Sequence, residues 1–225
     1  MSLSEESVSF AQQQGADLVG VVSLTGLDFP TGHRPEDYLP EAKSAVSIGY
    51  RLSKGSTLNL PQARNGYVLE FETANQELNR INRELCKFFE QRGYLAFGVP
   101  GTASIGDKKR LAADLSHRHL AVAAGLGKFG VNNLVLTENY GSRVRFTTVI
   151  TTAELAETDL ETEIECSECL NCVEICPVDA LKGGQAKYSP QEGWRIAKER
   201  CYHQIFVKLN GKRCGLCIKA CPLNR

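Results

Sequence analysis

Cys166-Ser-Glu-Cys169-Leu-Asn-Cys172-Val-Glu-Ile-Cys176-Pro177 is the stretch on which the reading of this chain turns. It sets out thiols at steps of three, three and four residues and closes with proline. A second run, Cys214-Gly-Leu-Cys217-Ile-Lys-Ala-Cys221-Pro222, repeats the last two steps and the proline, and Cys201 lies thirteen positions before it. Two intervening residues let a tight turn aim successive sulfurs at different corners of one inorganic core. The longer step opens a helical turn. Pro177 and Pro222 have no N–H and stop the backbone from closing over that core.

This spacing is the one by which thiolates hold paired 4Fe–4S clusters, three sulfurs coming from one run and the fourth from the other. The exchange gives one cluster Cys166, Cys169, Cys172 and Cys221. The other takes Cys176, Cys201, Cys214 and Cys217, with Cys201 displaced from the compact ferredoxin repeat. A pair of four-cysteine zinc sites is the competing reading, but such sites come as separated CxxC pairs without a CxxCxxC triple. Of nine cysteines, only Cys86 lies outside the group, and it reads as a small buried residue of a helix. Crowded thiols in a chain without a disulfide framework favour metal.

Composition excludes several other classes. The chain has 225 residues, 26 Lys+Arg against 26 Asp+Glu, 42% hydrophobic and 23% charged residues. It is an ordinary globular composition, and zero net charge argues against broad phosphate neutralisation on nucleic acid. No apolar run has the length of a membrane span. MSLSEESVSF carries no basic leader, so a cytoplasmic location is expected. Residues 154–165 hold six acidic residues and no basic one, which reads as a solvated connector. Residues 166–225 then carry 10 Lys+Arg and 5 Asp+Glu, an excess that two anionic clusters would neutralise locally.

Residues 1–153 read as a mixed α/β unit. Strands are predicted at Leu18–Val22, Ala45–Tyr50 and Leu95–Val99 from short apolar runs, and at Arg143–Thr151 from a longer run rich in Val, Ile, Thr and Phe. Leu78, Ile81, Leu85, Phe88 and Phe89 have helical spacing, with Thr73 and Gln76 placed as a capping box and Gly93 as a stop. Gly125-Leu-Gly127-Lys-Phe-Gly130 matches G-x-G-x-x-G, yet a helix-like stretch precedes it and no carboxylate follows at the required distance. Its glycines therefore read as sharp turns or as points where backbone approaches a flat cofactor. His117 and His119 diverge on a helix and are not expected to share a metal; His33 and His203 carry no motif.

In the order of its segments the chain resembles the epoxyqueuosine reductase and reductive dehalogenase superfamily, particularly short iron–sulfur members. The resemblance rests on Gly15-Ala-Asp-Leu-Val-Gly20, Arg34-Pro-Glu-Asp-Tyr-Leu-Pro-Glu-Ala-Lys-Ser44, Ala121-Val-Ala-Ala-Gly-Leu-Gly-Lys-Phe-Gly130, Leu134-Val-Leu-Thr137, Tyr140-Gly-Ser-Arg-Val-Arg145 and the two cysteine runs. It implies an α+β fold, in which a nitroreductase-like α/β domain over 1–153 and the linker 154–165 precede a ferredoxin-like domain with two 4Fe–4S clusters over 166–225. It also implies cobalamin, bound base-off between the two domains. Arg34, Gly125, Gly127, Asn132, Asn133, Val135 and Phe146 would line that pocket, with Gly215 and Leu216 against the corrin ring.

The implied function is an oxidoreductase that passes single electrons from its clusters to a bound cofactor, for reduction of a small substrate. An external low-potential donor would supply the electrons. Tyr67 and His117 are the candidate proton donors. An electron-transfer or corrinoid-handling protein without substrate chemistry is the alternative, and flavin in the same cleft is the alternative cofactor. The pattern departs from epoxyqueuosine reductases where their acidic proton donor falls: the position is Leu111, with Asp114 nearby. With no helical-repeat extension after Arg225, tRNA is not an expected partner, and neither is a membrane.

Overall fold

The computed structural model describes residues 1–28, 30, 34–102, 111, 113, 115–160, 162–184 and 187–224; His33 and Asp114 lie outside them. Helix α1 (Leu3–Gln13) opens with the capping box that Ser2 and Glu5 encode, each side chain meeting the other's backbone N–H. Strand β1 (Leu18–Ser23) follows, then the short α2 (Pro35–Tyr38), β2 (Ser44–Arg51), α3 (Lys54–Leu58) and the long α4 (Arg64–Glu90). Next come β3 (Ala96–Val99), α5 (His117–Ala123), the β4 (Lys128–Phe129) and β5 (Val135–Leu136) ribbon, and β6 (Val144–Thr151). The cysteine-rich part contains α6 (Asn171–Glu174), the β7 (Tyr188–Ser189) and β8 (Gly193–Trp194) ribbon, α7 (Lys198–Tyr202), a π-helical turn at His203–Lys208, and α8 (Leu216–Lys219).

The four predicted strands form one antiparallel sheet in the order β1-β2-β6-β3. Helices α1 and α4 cover one face through Ala11, Leu78, Ile81, Leu85 and Phe89, which meet Val19, Val21, Val46, Ile48 and Val149. Helix α5 covers the other through Leu120 and Ala121 against Ala45, Phe146 and Ile150. A sheet buried on both faces explains why its strands read as continuous apolar runs rather than alternating ones. Asn82 is the polar exception on α4, and its amide donates to the carbonyls of Val99 and Thr148.

Helix α4 starts nine residues before Thr73, so the predicted capping box lies inside it. Tyr67, Phe71 and Ala74 extend the buried stripe toward the N-terminus, and packing along that stripe outweighs a local capping signal. Gly93 does end the helix: at φ +84 it takes the left-handed conformation while Tyr94 N donates to Phe89 O and Gly93 N to Glu90 O.

The acidic connector is also less free than its composition implies. Thr158 and Val21 exchange backbone and side-chain hydrogen bonds, Ser23 N donates to Glu157 Oε1, and Leu155 is buried. Its first half lies along the free edge of β1 and satisfies groups that an edge strand would otherwise expose. The acidic side chains face solvent, but the backbone does not wander.

Candidate metal centres

Both cysteine runs make the same local turn. Leu170, at φ 62, and Gly215, at φ 71, each adopt the left-handed conformation one residue after a cysteine and start a one-turn helix there. For Leu170 this conformation costs about 1–2 kcal/mol. The turn swings Cys169 and Cys214 away from the helix while Cys172 and Cys217 sit within it. At Gly215 a side chain is excluded twice, because a Cβ would lie 2.6 Å from Tyr67 Cε1 and 2.8 Å from Leu60 Cδ1.

The eight clustered cysteines gather into two groups in space. Cys166, Cys169, Cys172 and Cys221 line one cavity, whose opposite wall is Gly130, Val131, Asn132 and Leu136. Cys201 interacts electrostatically with Cys214 and Cys176, and Cys217 with all three and with Cys172 of the first cavity. Burial first, then neighbouring thiols, push Cys172 up to about 11 and Cys217 up to about 12. Four thiolates cannot converge in a half-buried site without a cationic core to hold them, so this donor set fits a metal centre. Among the described residues no three His, Cys, Asp or Glu side chains are close enough to share a single ion.

The first 153 residues contribute to both groups. The turn at Gly141 packs on the C-terminal tail, where a Cβ would meet Leu223 O at 2.5 Å, and Ser142 N donates to Asn224 Oδ1 at 2.8 Å. Arg64 Nη1 clasps the second run through the carbonyls of Arg213 (2.8 Å) and Cys214 (2.6 Å). Trp194 Nε1 donates to Phe129 O at 3.1 Å. Leu216 and Ile218 of α8 pack against Leu52, Leu60 and Tyr67.

The residues expected to surround cobalamin do not converge on one cleft. Gly125 is the stop of α5, at φ +73, with Leu160 O where its Cβ would be. Gly127 lies against Leu136 O, and Val135 and Phe146 are buried in the core under the sheet. Asn132 borders the first cysteine cavity, and its Oδ1 accepts from Leu134 N. Asn133, at φ +57, takes the Arg118 guanidinium on its carbonyl. Arg34 is exposed and paired with Glu36. The side chains of Tyr67 and Leu60 fill the place against Gly215 and Leu216 where the corrin was expected. As arranged, these residues do not fit a corrinoid.

Neither candidate proton donor is poised to act as one. Burial raises the Tyr67 phenol above its ordinary value, with the Cys217 thiolate adding to the shift. His117 is held at both ring nitrogens, Nδ1 at 2.9 Å from Thr148 Oγ1 and Nε2 at 2.9 Å from Pro100 O. A carbonyl only accepts, so Nε2 carries the proton and Nδ1 accepts from threonine. Burial lowers His117 from 6.5 to about 4, keeping the ring neutral. The unfolded chain gains its proton near pH 6.5 while the folded one resists until about pH 4, so stability falls as pH drops through that window. From His117 alone roughly 1 kcal/mol is lost by pH 5.5. In urea unfolding, His117→Gln should flatten the pH dependence between 7 and 5.5.

Sequence reasoning missed Arg64, Ser142 and Asn224 as docking residues. It noticed the 125–130 glycines but not that the wall they lead into, residues 130–136, closes a cysteine cavity. The proximity of two segments remote in sequence was the missing signal.

Comparison with known proteins agrees with this geometry. Residues 165–224 match the 4Fe-4S dicluster domain family. The chain is 25% identical to epoxyqueuosine reductase of Bacillus subtilis, over 99% of this chain and 64% of that protein. It is 31% identical to epoxyqueuosine reductase of Lactococcus garvieae, over 85% and 55%. Tetrachloroethene reductive dehalogenase of Desulfitobacterium hafniense is 31% identical over 47% of this chain and 22% of its own length. The chain thus spans about a fifth of the dehalogenases it matches and between half and two thirds of the reductases. Among solved structures, an epoxyqueuosine reductase with a tRNA stem loop superposes with a TM-score of 0.67 at 21% identity, covering 99% of this chain and 65% of that one. The reductive dehalogenase NpRdhA gives 0.74 at 19%, covering 96% and 31%. At these identities the superpositions establish the fold.

Proposed function

From its similarity to epoxyqueuosine reductases and reductive dehalogenases we propose that the chain is a member of the superfamily they share and an iron–sulfur oxidoreductase working in single-electron steps. The observation that supports the reading is that Cys166, Cys169, Cys172 and Cys221 line one cavity while Cys176, Cys201, Cys214 and Cys217 lie near one another, Cys217 also lying near Cys172. Cys166, Cys169, Cys172 and Cys221 would hold one 4Fe–4S cluster, and Cys176, Cys201, Cys214 and Cys217 the other. Bound there, the clusters supply one-electron transfer at low potential. The domain division at 1–153, 154–165 and 166–225 follows the same reading.

The chain's own residues perform the positioning. Cys169 is exposed, which leaves the first set open to an external low-potential donor. Arg64 and Lys219 tie the second set to the first domain through carbonyls of Arg213, Cys214 and Leu60. Tyr67, Leu60 and Leu216 exclude water from the side of that set facing the sheet.

A second reading is favoured by the filled space at Gly215: an electron carrier with no corrinoid and no substrate chemistry of its own. Titrating the iron-loaded protein with cobalamin separates the readings. Packing of Tyr67 and Leu60 on Gly215 predicts a visible spectrum that is the plain sum of its components. A base-off shift would mean that those side chains give way and that the corrinoid reading is right. Reduction of small substrates by the dithionite-reduced protein without cobalamin would favour the enzyme over the carrier.

A further inference from the structure

The two cysteine sets sit in surroundings of different charge. Beside the first, Glu163, Glu165 and Glu168 are exposed on the segment that carries Cys166 and Cys169. Among the described residues only Glu165 has a cation partner, Lys128 at 3.3 Å. The facing wall of Gly130, Val131, Asn132 and Leu136 brings no charge.

Around the second set, where Glu174 and Asp179 flank Cys176 and Glu199 precedes Cys201, five cations also gather. Arg64 and Lys219 donate to main-chain carbonyls, and Arg118 donates to Asn133 O while lying close enough to Cys201 for their charges to interact. The guanidinium groups of Arg145 and Arg213 lie over the same Phe71 ring, at 4.1 and 4.8 Å. That ring is one helical turn from Tyr67, which meets Gly215 between two ligand positions. Among the described residues Arg145 hydrogen-bonds only neutral acceptors, Asn75 Oδ1, Gly101 O and Thr102 Oγ1. None of these five cations pairs with a carboxylate among the described residues, whereas the ion pairs elsewhere engage Arg34, Lys43, Arg51, Arg80, Lys87 and Arg92. A partly buried cation without an anion is costly. Loaded with iron, the second sulfur set would supply anionic charge to balance this collar.

We propose that this collar makes the second set the electron-accepting end of the pair, so that one electron from an external donor rests on the iron held by Cys176, Cys201, Cys214 and Cys217. The inference rests on the ligand assignment above. One-electron reduction adds one negative charge, and where water is excluded each nearby cation favours the reduced form. The acidic rim acts in the opposite direction on the first set. Arg118, Arg145 and Arg213 are therefore positioning residues for charge, and their effect is read in a potential rather than in a rate.

An EPR-monitored redox titration of the full chain with both clusters tests this. The wild type should reduce in two steps, and Cys201→Ala, lacking the second cluster, should retain only the lower. Arg213 makes ring contacts and no hydrogen bond through its guanidinium among the described residues, so Arg213→Gln removes its charge and its contacts with the Phe71 and Phe206 rings and no hydrogen bond, and Arg213→Lys serves as the charge-keeping control. Arg213→Gln should lower the higher step only, changing the reduced-to-oxidised ratio at fixed potential about tenfold, which is ~59 mV for a one-electron couple. Arg118→Gln keeps an amide donor for Asn133 O and should act in the same direction, while Glu168→Gln should raise only the lower step. The proposal is overturned if Arg213→Gln leaves the higher step in place or moves the lower one. Iron is counted on every sample. Fewer than two clusters in the wild type would end the functional reading itself, and two clusters indifferent to the arginines would end only this inference.

Discussion

Cys201→Ala should lose about four of roughly eight irons per chain and keep the other four. Cys201 stands apart from both runs, yet α7 carries it to Cys176 and Cys214. Removing its sulfur leaves three ligands from segments that are not adjacent in sequence, and leaves the Arg118 guanidinium without its anionic neighbour. Both effects fall on the second set. Iron and sulfide analysis with EPR of the reduced variant checks the outcome. A full complement of iron with two cluster signals would remove Cys201 from the ligand set and make some other group the fourth ligand.

Gly215→Ala should cost about 3 kcal/mol in urea unfolding. Of this, about 1–2 kcal/mol is left-handed backbone strain and the rest is overpacking against Tyr67 and Leu60. Combining it with Tyr67→Leu should recover the packing part and leave the strain, because only the first depends on the ring. The measurement separates two meanings of the same glycine. If it approached a flat cofactor, the variant would weaken cofactor binding and leave the unliganded protein nearly as stable. A cost below about 1 kcal/mol would therefore count against the packing described above.

Three sheet strands were legible because runs rich in β-branched residues at Leu18–Ser23, Ser44–Arg51 and Val144–Thr151 are long enough, and apolar enough, to need cover on both faces, and the short Ala96–Val99 because it is apolar. The cysteine sets were legible because ligand spacing is imposed by the inorganic core and not by the rest of the fold. Other features depend on contacts between segments far apart in sequence. Nothing within Thr73 to Gln76 announces that α4 is already two turns old, since that is decided where Tyr67 meets Gly215. Nothing in the acidic stretch from Glu154 announces that Thr158 completes the edge of β1. The glycines at 125–130 illustrate the same limit. They were read as sharp turns or as places where backbone approaches a flat cofactor, and in the structure their backbone comes close to Leu160, Leu136 and the wall of a sulfur cavity. Arg145 sits in a recognisable motif, but its role depends on Phe71 and Arg213, which only folding brings together.

The most direct test is metal and sulfide analysis of the full chain purified without oxygen, combined with EPR of its dithionite-reduced form. Two four-thiolate sets predict roughly eight irons and eight sulfides per chain and two interacting reduced signals. Stoichiometric zinc, or iron near four with a single signal, would contradict the assignment of both sets and the single-electron chemistry built on it.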